Sequence, residues 1–208
     1  MSRPLRAATV LGLAAAIGIG AGVGIHALSR GDASPPTGAA GDLMGQATWG
    51  PGERRAPDFT LSDQRGRPIS PASLAGQDVL LTFLDRRCLR SCLRQQRSLA
   101  TPLRLLPRPE RPAVVVVSLQ PGAAPQQTVE RAARRLGLVD AAGWHWLSGS
   151  TAELAPVWRS YGVGVSPGSA RRPLAYLIDR NGYERAGFLY PFPPNWLVGD
   201  IRILRGQS

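Results

Sequence analysis

The chain has 208 residues, enough for one domain with a full hydrophobic core, so no cross-link is required merely to hold it together. Its net charge is +11, and all 25 basic residues are arginine. They are spread along the whole length without a zinc-finger, recognition-helix or RNA-binding signature, which argues against a nucleic-acid partner and for solvated faces, with attraction to anionic lipid headgroups as the next reading.

Residues 1–6 carry Arg3 and Arg6, and residues 7–28, "AATVLGLAAAIGIGAGVGIHAL", form an uncharged run. About 20 apolar residues span a bilayer as a helix. The run is longer than the core of a cleaved signal and no A-x-A site follows it, so it reads as a retained single-pass transmembrane anchor. The arginines on the short side keep 1–6 in the cytoplasm and send the remainder to the extracytoplasmic side, although Arg30 just beyond the run opposes this. His26 falls near the far end of the span, at the interface.

Residues 29–55 are rich in Gly, Pro, Ala and Ser and read as a flexible linker. The folded domain is expected over 56–208. "DFTLSDQRGRPIS" alternates apolar and polar residues about Gln64-Arg65-Gly66, a hairpin signal. "DVLLTFLD" reads as a buried strand, and "SCLRQQRSLATPLRLL" as a helix with Leu93, Leu99 and Leu103 facing the core. "PAVVVVSL" is a second buried strand, "QTVERAARRLGL" a helix ending at Gly137, "WHWLSG" a short strand, and "TAELAPVWRSYGV" a helix with Thr151 as its N-cap. Then come the strand "LAYLID", the turn "RNG", the strand "YERAGFL" and a last helix from about Asn195. This alternation predicts an α/β fold with a central sheet covered on both faces and a closing antiparallel hairpin.

The only cysteines, Cys88 and Cys92, follow the first buried strand in "DRRCLRSCLRQQR". If the helix begins by Cys88, the two sulfurs lie on one face a turn apart, a separation that a disulfide tolerates with some loosening of that turn. Such a bond is easier to reduce than a structural one. Helix-terminal charge together with Arg86, Arg87, Arg90 and Arg94 favours thiolate, making Cys88 the expected nucleophile and Cys92 its resolving partner. Outside the membrane such a pair can oxidise. Two inert buried thiols or a structural disulfide are the bland alternatives. Two thiolates could also hold Cu(I) with an imidazole, but zinc would require more ligands than the sequence offers. His145, between Trp144 and Trp146, fits a packing role better than ligation.

In their order and spacing, "APDFTLSDQRGRPIS", "LLTFLDRRC", "CLRSC", "WHWLSGS", "YGV" and "YLIDRNG" resemble landmarks of the Sco/SenC family, membrane-tethered members of the thioredoxin superfamily. The resemblance covers about 56–204 and implies a thioredoxin-like fold with the hairpin as an N-terminal extension. It implies either copper delivery to cytochrome oxidase through a C-x-x-x-C pair and a distant histidine, or thiol–disulfide reduction. Three positions depart from the family pattern. Arg171 stands where the copper histidine is expected, Leu93 where a proline usually follows the second cysteine, and Gln120 where an acidic residue is usual. Arginine offers copper no lone pair. "RPLAYLIDRNG" is similar to the segment that places a cis-proline beside the cysteines of thioredoxin-like reductases, which makes Pro173 a candidate site residue.

The expectation is a membrane-anchored extracytoplasmic thiol–disulfide oxidoreductase with Cys88, Cys92 and Pro173 at its site. It would need no cofactor, and its partners would be extracytoplasmic protein thiols or disulfides. The alternatives are a Cu(I) chaperone for a cytochrome oxidase subunit, with Cys88 and Cys92 as ligands and His145 or a partner group as the third, and a non-catalytic interaction domain.

Overall fold

The structure, a computed structural model, describes residues 43–85, 92–164 and 174–207. The predicted anchor at 7–28, most of the linker, and Cys88, Arg171 and Pro173 lie outside these residues, as does the side chain of Cys92. Among the described residues no helix is long and apolar enough to cross a membrane.

In chain order the strands are β1 (Ala47–Thr48), β2 (Leu61–Ser62), β3 (Pro68–Ile69), β4 (Val79–Leu84), β5 (Ala113–Ser118), β6 (Trp144–Leu147), β7 (Leu174–Ile178) and β8 (Glu184–Leu189). The helices are α1 (Cys92–Leu105), α2 (Gln126–Leu136), α3 (Thr151–Ser160) and α4 (Pro194–Gly206). Six strands form one sheet in the order β1-β8-β7-β4-β5-β6, and β2 and β3 pair as the expected hairpin. Strands β4, β5 and β6 run parallel, while β7, β8 and β1 add antiparallel pairs. This is the mixed, helix-covered sheet of a thioredoxin-like fold.

Why these segments become strands follows from their side chains. "VLLTFL" and "AVVVVS" are almost wholly apolar, as strands covered on both faces must be, and every residue in them is buried. Successive residues point to opposite faces. Leu80, Leu84, Val114, Val116 and Trp146 pack with Leu99 and Leu103 of α1, Val129 and Ala133 of α2, and Ile201 and Leu204 of α4. Leu81, Phe83, Val115, Val117 and Leu147 pack on the other face with Leu61 and Ile69 of the hairpin and Leu154, Val157 and Trp158 of α3.

Helix ends show where local chemistry was read correctly and where it was not. Gly137 closes α2 at φ 69°, a left-handed conformation that glycine adopts without strain. Thr151, expected to cap α3, is instead its first residue. Ser150 is the cap, its hydroxyl accepting from the Glu153 amide at 3.3 Å while Glu153 Oε2 accepts from the Ser150 amide at 2.7 Å. The S-x-x-E box, not the threonine, sets that boundary.

The larger departure lies in the stretch assigned to the linker, because residues 43–55 strap the edge of β8. Ala47 pairs with Gly187 and Thr48 with Ala186. The Gln46 carboxamide accepts from the Leu189 amide and donates to its carbonyl. Trp49 stacks on Tyr176, and the Arg54 guanidinium lies 4.5 Å above the Trp49 ring centroid. Two buried carboxylates hold the strap: Asp200 accepts from the Met44 and Gly45 amides at 2.7 and 3.1 Å, and Glu184 Oε2 lies 2.7 Å from Arg54 Nε.

Burial pushes both acids up to about 6, against the opposing pull of the Met44 and Gly45 amides on Asp200 and of Arg54 on Glu184. Their folded pKa values exceed their ordinary ones, so the fold binds protons more tightly than the open chain and stability rises as pH falls through about 6. Asp63 has the opposite sign. Burial alone would raise it, but bonds from Arg67, Arg65 and His145 lower it to about 2, so its contribution is lost as pH falls below the ordinary carboxylate range. Thermal denaturation followed by circular dichroism should give a midpoint higher near pH 5 than near pH 7.5, by on the order of 5 °C, and falling again below about pH 3.5. Glu184→Gln should flatten the upper limb.

Candidate active site

The cysteine segment leaves the sheet at the end of β4, a position set by register. Thr82 pairs with Ala175, so the last residues of β4 lie beside Leu174, the first residue of β7. Leu84 is also bonded across to the next strand's exit, its carbonyl accepting from the Leu119 amide at 2.9 Å. The described neighbours of the candidate residues therefore converge on one end of the sheet. Asp85 precedes the Cys88 segment, Cys92 opens α1, and Leu174 follows Pro173.

A buried polar network joins those neighbours. Thr82 is the only polar residue of β4 and has no exposed surface. Its hydroxyl lies 2.9 Å from the Leu174 carbonyl and 3.2 Å from the Tyr190 hydroxyl. A carbonyl can only accept, so the Thr82 proton goes to Leu174 and Tyr190 donates to Thr82. Burial pushes the Tyr190 phenol well above the ordinary tyrosine range, which keeps that proton in place. Two residues on, the Phe192 amide donates to Ser98 Oγ of α1 at 3.3 Å, and Ser98 Oγ donates to the Phe192 carbonyl at 2.9 Å. Residues 190–192 thus touch the strand before the cysteines, the helix that Cys92 opens and, through Thr82, the start of β7.

At the neighbouring end of β5, the Ser118 hydroxyl donates to the Gln120 carbonyl and accepts from its amide, and the Trp158 indole donates to the Ser118 carbonyl. The Gln120 side-chain oxygen is buried and accepts no hydrogen bond among the described residues. The position expected to be acidic therefore carries a neutral acceptor beside the strand that leads to the cysteines.

His145 lies elsewhere. It pairs with Val115, which pairs with Leu81, so it sits two strands from β4 and short of that strand's end. Its Nδ1 is 3.3 Å from Asp63 Oδ2, and Asp63 also accepts from the Arg67 guanidinium at 2.8 Å and from the Arg65 and Arg67 amides. The imidazole ties β6 to the hairpin on the face opposite α1, matching the packing role read from its sequence context. Among the described residues no group of three or more His, Cys, Asp or Glu side chains could hold a metal ion.

This arrangement of strands and crossover helices matches the fold of solved structures. A copper-bound ScoI from Bradyrhizobium japonicum aligns with a TM-score of 0.57 at 23% identity, covering 72% of this chain and 99% of that one. The chain has the fold of the Sco proteins. BsSco, described as a Sco-family cytochrome c oxidase assembly protein with a disulfide switch, aligns at 0.60 with 16% identity over 80% of this chain and 98% of its own. A SCO1/SenC family lipoprotein from Bacillus anthracis gives 0.59 and 17% over 73% and 95%. No family model matches the sequence, and no curated protein does. The Sco-like resemblance read from short motifs therefore reappears in the fold, at an identity of 16–23%.

The cysteines stand out in the sequence by their setting after a buried strand. Thr82, Ser98, Tyr190 and Phe192 do not, since their only sequence signal is a lone threonine inside an otherwise apolar strand.

Proposed function

We propose that the protein is a membrane-anchored, extracytoplasmic thiol–disulfide oxidoreductase with a Sco-like fold. The observation that carries the choice of electrons over metal is the commitment of His145 to Asp63, on the face opposite α1. The remaining histidine, His26, belongs to the predicted anchor, and by the family resemblance Arg171 stands where the copper histidine is expected. The donor set offered to copper is thus two thiolates with no imidazole from this domain.

In the forward reaction the Cys88 thiolate attacks one sulfur of a partner disulfide. The partner S–S bond breaks, a Cys88–partner disulfide forms, and the second partner sulfur leaves as thiolate and takes up a proton. The Cys92 thiolate then attacks Cys88 Sγ, releasing the first partner sulfur as thiolate and leaving a Cys88–Cys92 disulfide. Two electrons have passed to the partner, and an external dithiol must return them. Arg86, Arg87, Arg90 and Arg94 favour the thiolate form, and the start of α1 adds partial positive charge at Cys92. Pro173 would flank the sulfurs from the segment that enters β7.

The copper reading is kept as the second one because Sco structures of the same fold have been solved with copper bound. The two separate in one assay. Reduced full-length protein in detergent should reduce a disulfide-bonded reporter peptide with dependence on both cysteines. A rate no faster than that of free glutathione at equal thiol concentration, together with a tight one-to-one Cu(I) complex requiring Cys88 and Cys92, would transfer the assignment to copper.

A further inference from the structure

We infer that the end of the domain where α1 and α2 finish is a docking surface for an anionic lipid bilayer, formed by Leu105, Val139 and the arginines Arg104, Arg108 and Arg135. The inference rests on the membrane-anchored reading above and gives a place to the lipid attraction that the composition suggested.

Four large apolar side chains are exposed among the described residues, and the two most exposed, Leu105 at 58% and Val139 at 49%, both lie at this end. Leu105 is the last residue of α1, and Val139 is the middle residue of the single turn Leu138–Asp140 that follows α2. Arg111 fixes these two segments to each other. Its Nε donates to the Leu106 carbonyl at 2.9 Å and its Nη1 to the Asp140 carbonyl at 2.7 Å. Gly137 brings the end of α2 so close to α1 that a Cβ there would fall 2.6 Å from Ala100 Cβ. The surface is therefore formed before any ligand arrives, with Arg108, Arg111, Val139 and Asp140 lining one open hollow in it.

Charge supplies the occupant. Arg104, Arg108 and Arg135 are exposed and meet no carboxylate among the described residues. Their neighbours are neutralised, Arg134 by Glu130, Arg202 by Glu110 and Arg205 by Asp78, and Asp140 stands beside Arg111. A guanidinium grips phosphate through paired N–H donors, and each basic residue near an anionic leaflet strengthens association by about fivefold. Isolated apolar side chains among cations enter the boundary between headgroups and acyl chains, whereas the centre of a protein interface is a contiguous apolar patch with few charges. So small a surface partitions weakly by itself, but for a chain already tethered to the bilayer the contact is intramolecular. Strands β4 and β5 are parallel, so α1 finishes at the end of the sheet opposite to the one where β4 finishes. Docking therefore turns the end of β4 away from the lipid.

The test is amide hydrogen exchange of the full-length protein in nanodiscs of phosphatidylcholine alone and of equal parts phosphatidylcholine and phosphatidylglycerol. In the anionic discs exchange should slow by about fivefold or more over 105–111 and 138–142, recover at about 0.5 M salt, and stay unchanged over α3 on the other face of the sheet. Arg104→Gln, Arg108→Gln and Arg135→Gln together should abolish the difference between the discs, and Leu105→Gln with Val139→Gln should reduce it by about half or more. At exposed positions neither set should move the thermal midpoint by more than about 2 °C. Equal exchange in the two discs would overturn the inference, and slowing of the same amides only by added polyglutamate would reassign the surface to an acidic protein. Free exchange of residues 7–28 in both discs would overturn the anchor instead. The chain is then sedimented with phosphatidylglycerol vesicles, where binding lost in the triple arginine variant supports the surface and no binding overturns it.

Discussion

Cys92→Ser should turn a transient species into a stable one, a mixed disulfide between Cys88 and a client or added disulfide, isolated by non-reducing electrophoresis and placed at Cys88 by mass spectrometry. The expectation follows from the order of the two displacements. With no second thiolate, the first product has no intramolecular exit, and its release depends on external thiol at bulk concentration. Intramolecular attack is commonly favoured by effective molarities of about 10⁵ M or more, so turnover with a reporter disulfide should fall by about a hundredfold or further. Cys88→Ser should lose both the adduct and the turnover. Adducts found on Cys92 in the Cys88→Ser protein, at the rate seen for Cys88, would reverse the assigned roles.

Phe83→Ala should produce the largest loss of stability of any single change considered. Phe83 is fully buried one residue before the end of β4, and its ring lies 5.6 Å from that of Tyr161. Truncating a buried phenylalanine costs about 3–5 kcal/mol through lost transfer energy and the cavity left behind. For a domain of this size that lowers the thermal midpoint by on the order of 10 °C. Phe83→Leu, closer in volume, should lose about 1.5 kcal/mol or less. Because this residue supports the strand end that precedes the cysteine segment, the alanine variant should also lose exchange activity before it melts. A midpoint within about 2 °C of wild type would contradict the placement of Phe83 in the core.

Strands β4 and β5 were legible because a continuous run of apolar residues has few other fates, and α2 because Gly137 marks its end. The hairpin was legible from alternation about Gln64-Arg65-Gly66. Strand β1 was not, since two residues in a Gly- and Pro-rich stretch carry no periodicity. What orders them is distant: Asp200 reaches Met44 across 156 positions and Gln46 meets Leu189 across 143. The linker assignment thus misjudged a segment whose stability resides in its partners. At the site, the cysteines announced themselves by residue type, whereas Thr82 and Tyr190 are 108 positions apart and acquire meaning only once β4, β7 and β8 are side by side. His145 shows the converse. Its neighbours Trp144 and Trp146 pointed to a packing role, and the Asp63 contact supplies the partner that such a role needs.

Arginine content also takes on a clearer meaning in the fold. Arg54, Arg67, Arg180, Arg185 and Arg205 each pair with a carboxylate that is largely or wholly buried, so part of the basic excess holds the strap, the hairpin and the β7–β8 turn rather than serving a polyanionic partner.

The most direct test of the account is a glutathione redox titration of the full-length protein, with free thiols trapped and counted at each ratio. The account predicts one reversible two-electron transition, with both cysteines appearing and disappearing together and no transition in Cys88→Ser or Cys92→Ser. Two thiols that stay reduced across the whole range, or a disulfide that never opens, would contradict it.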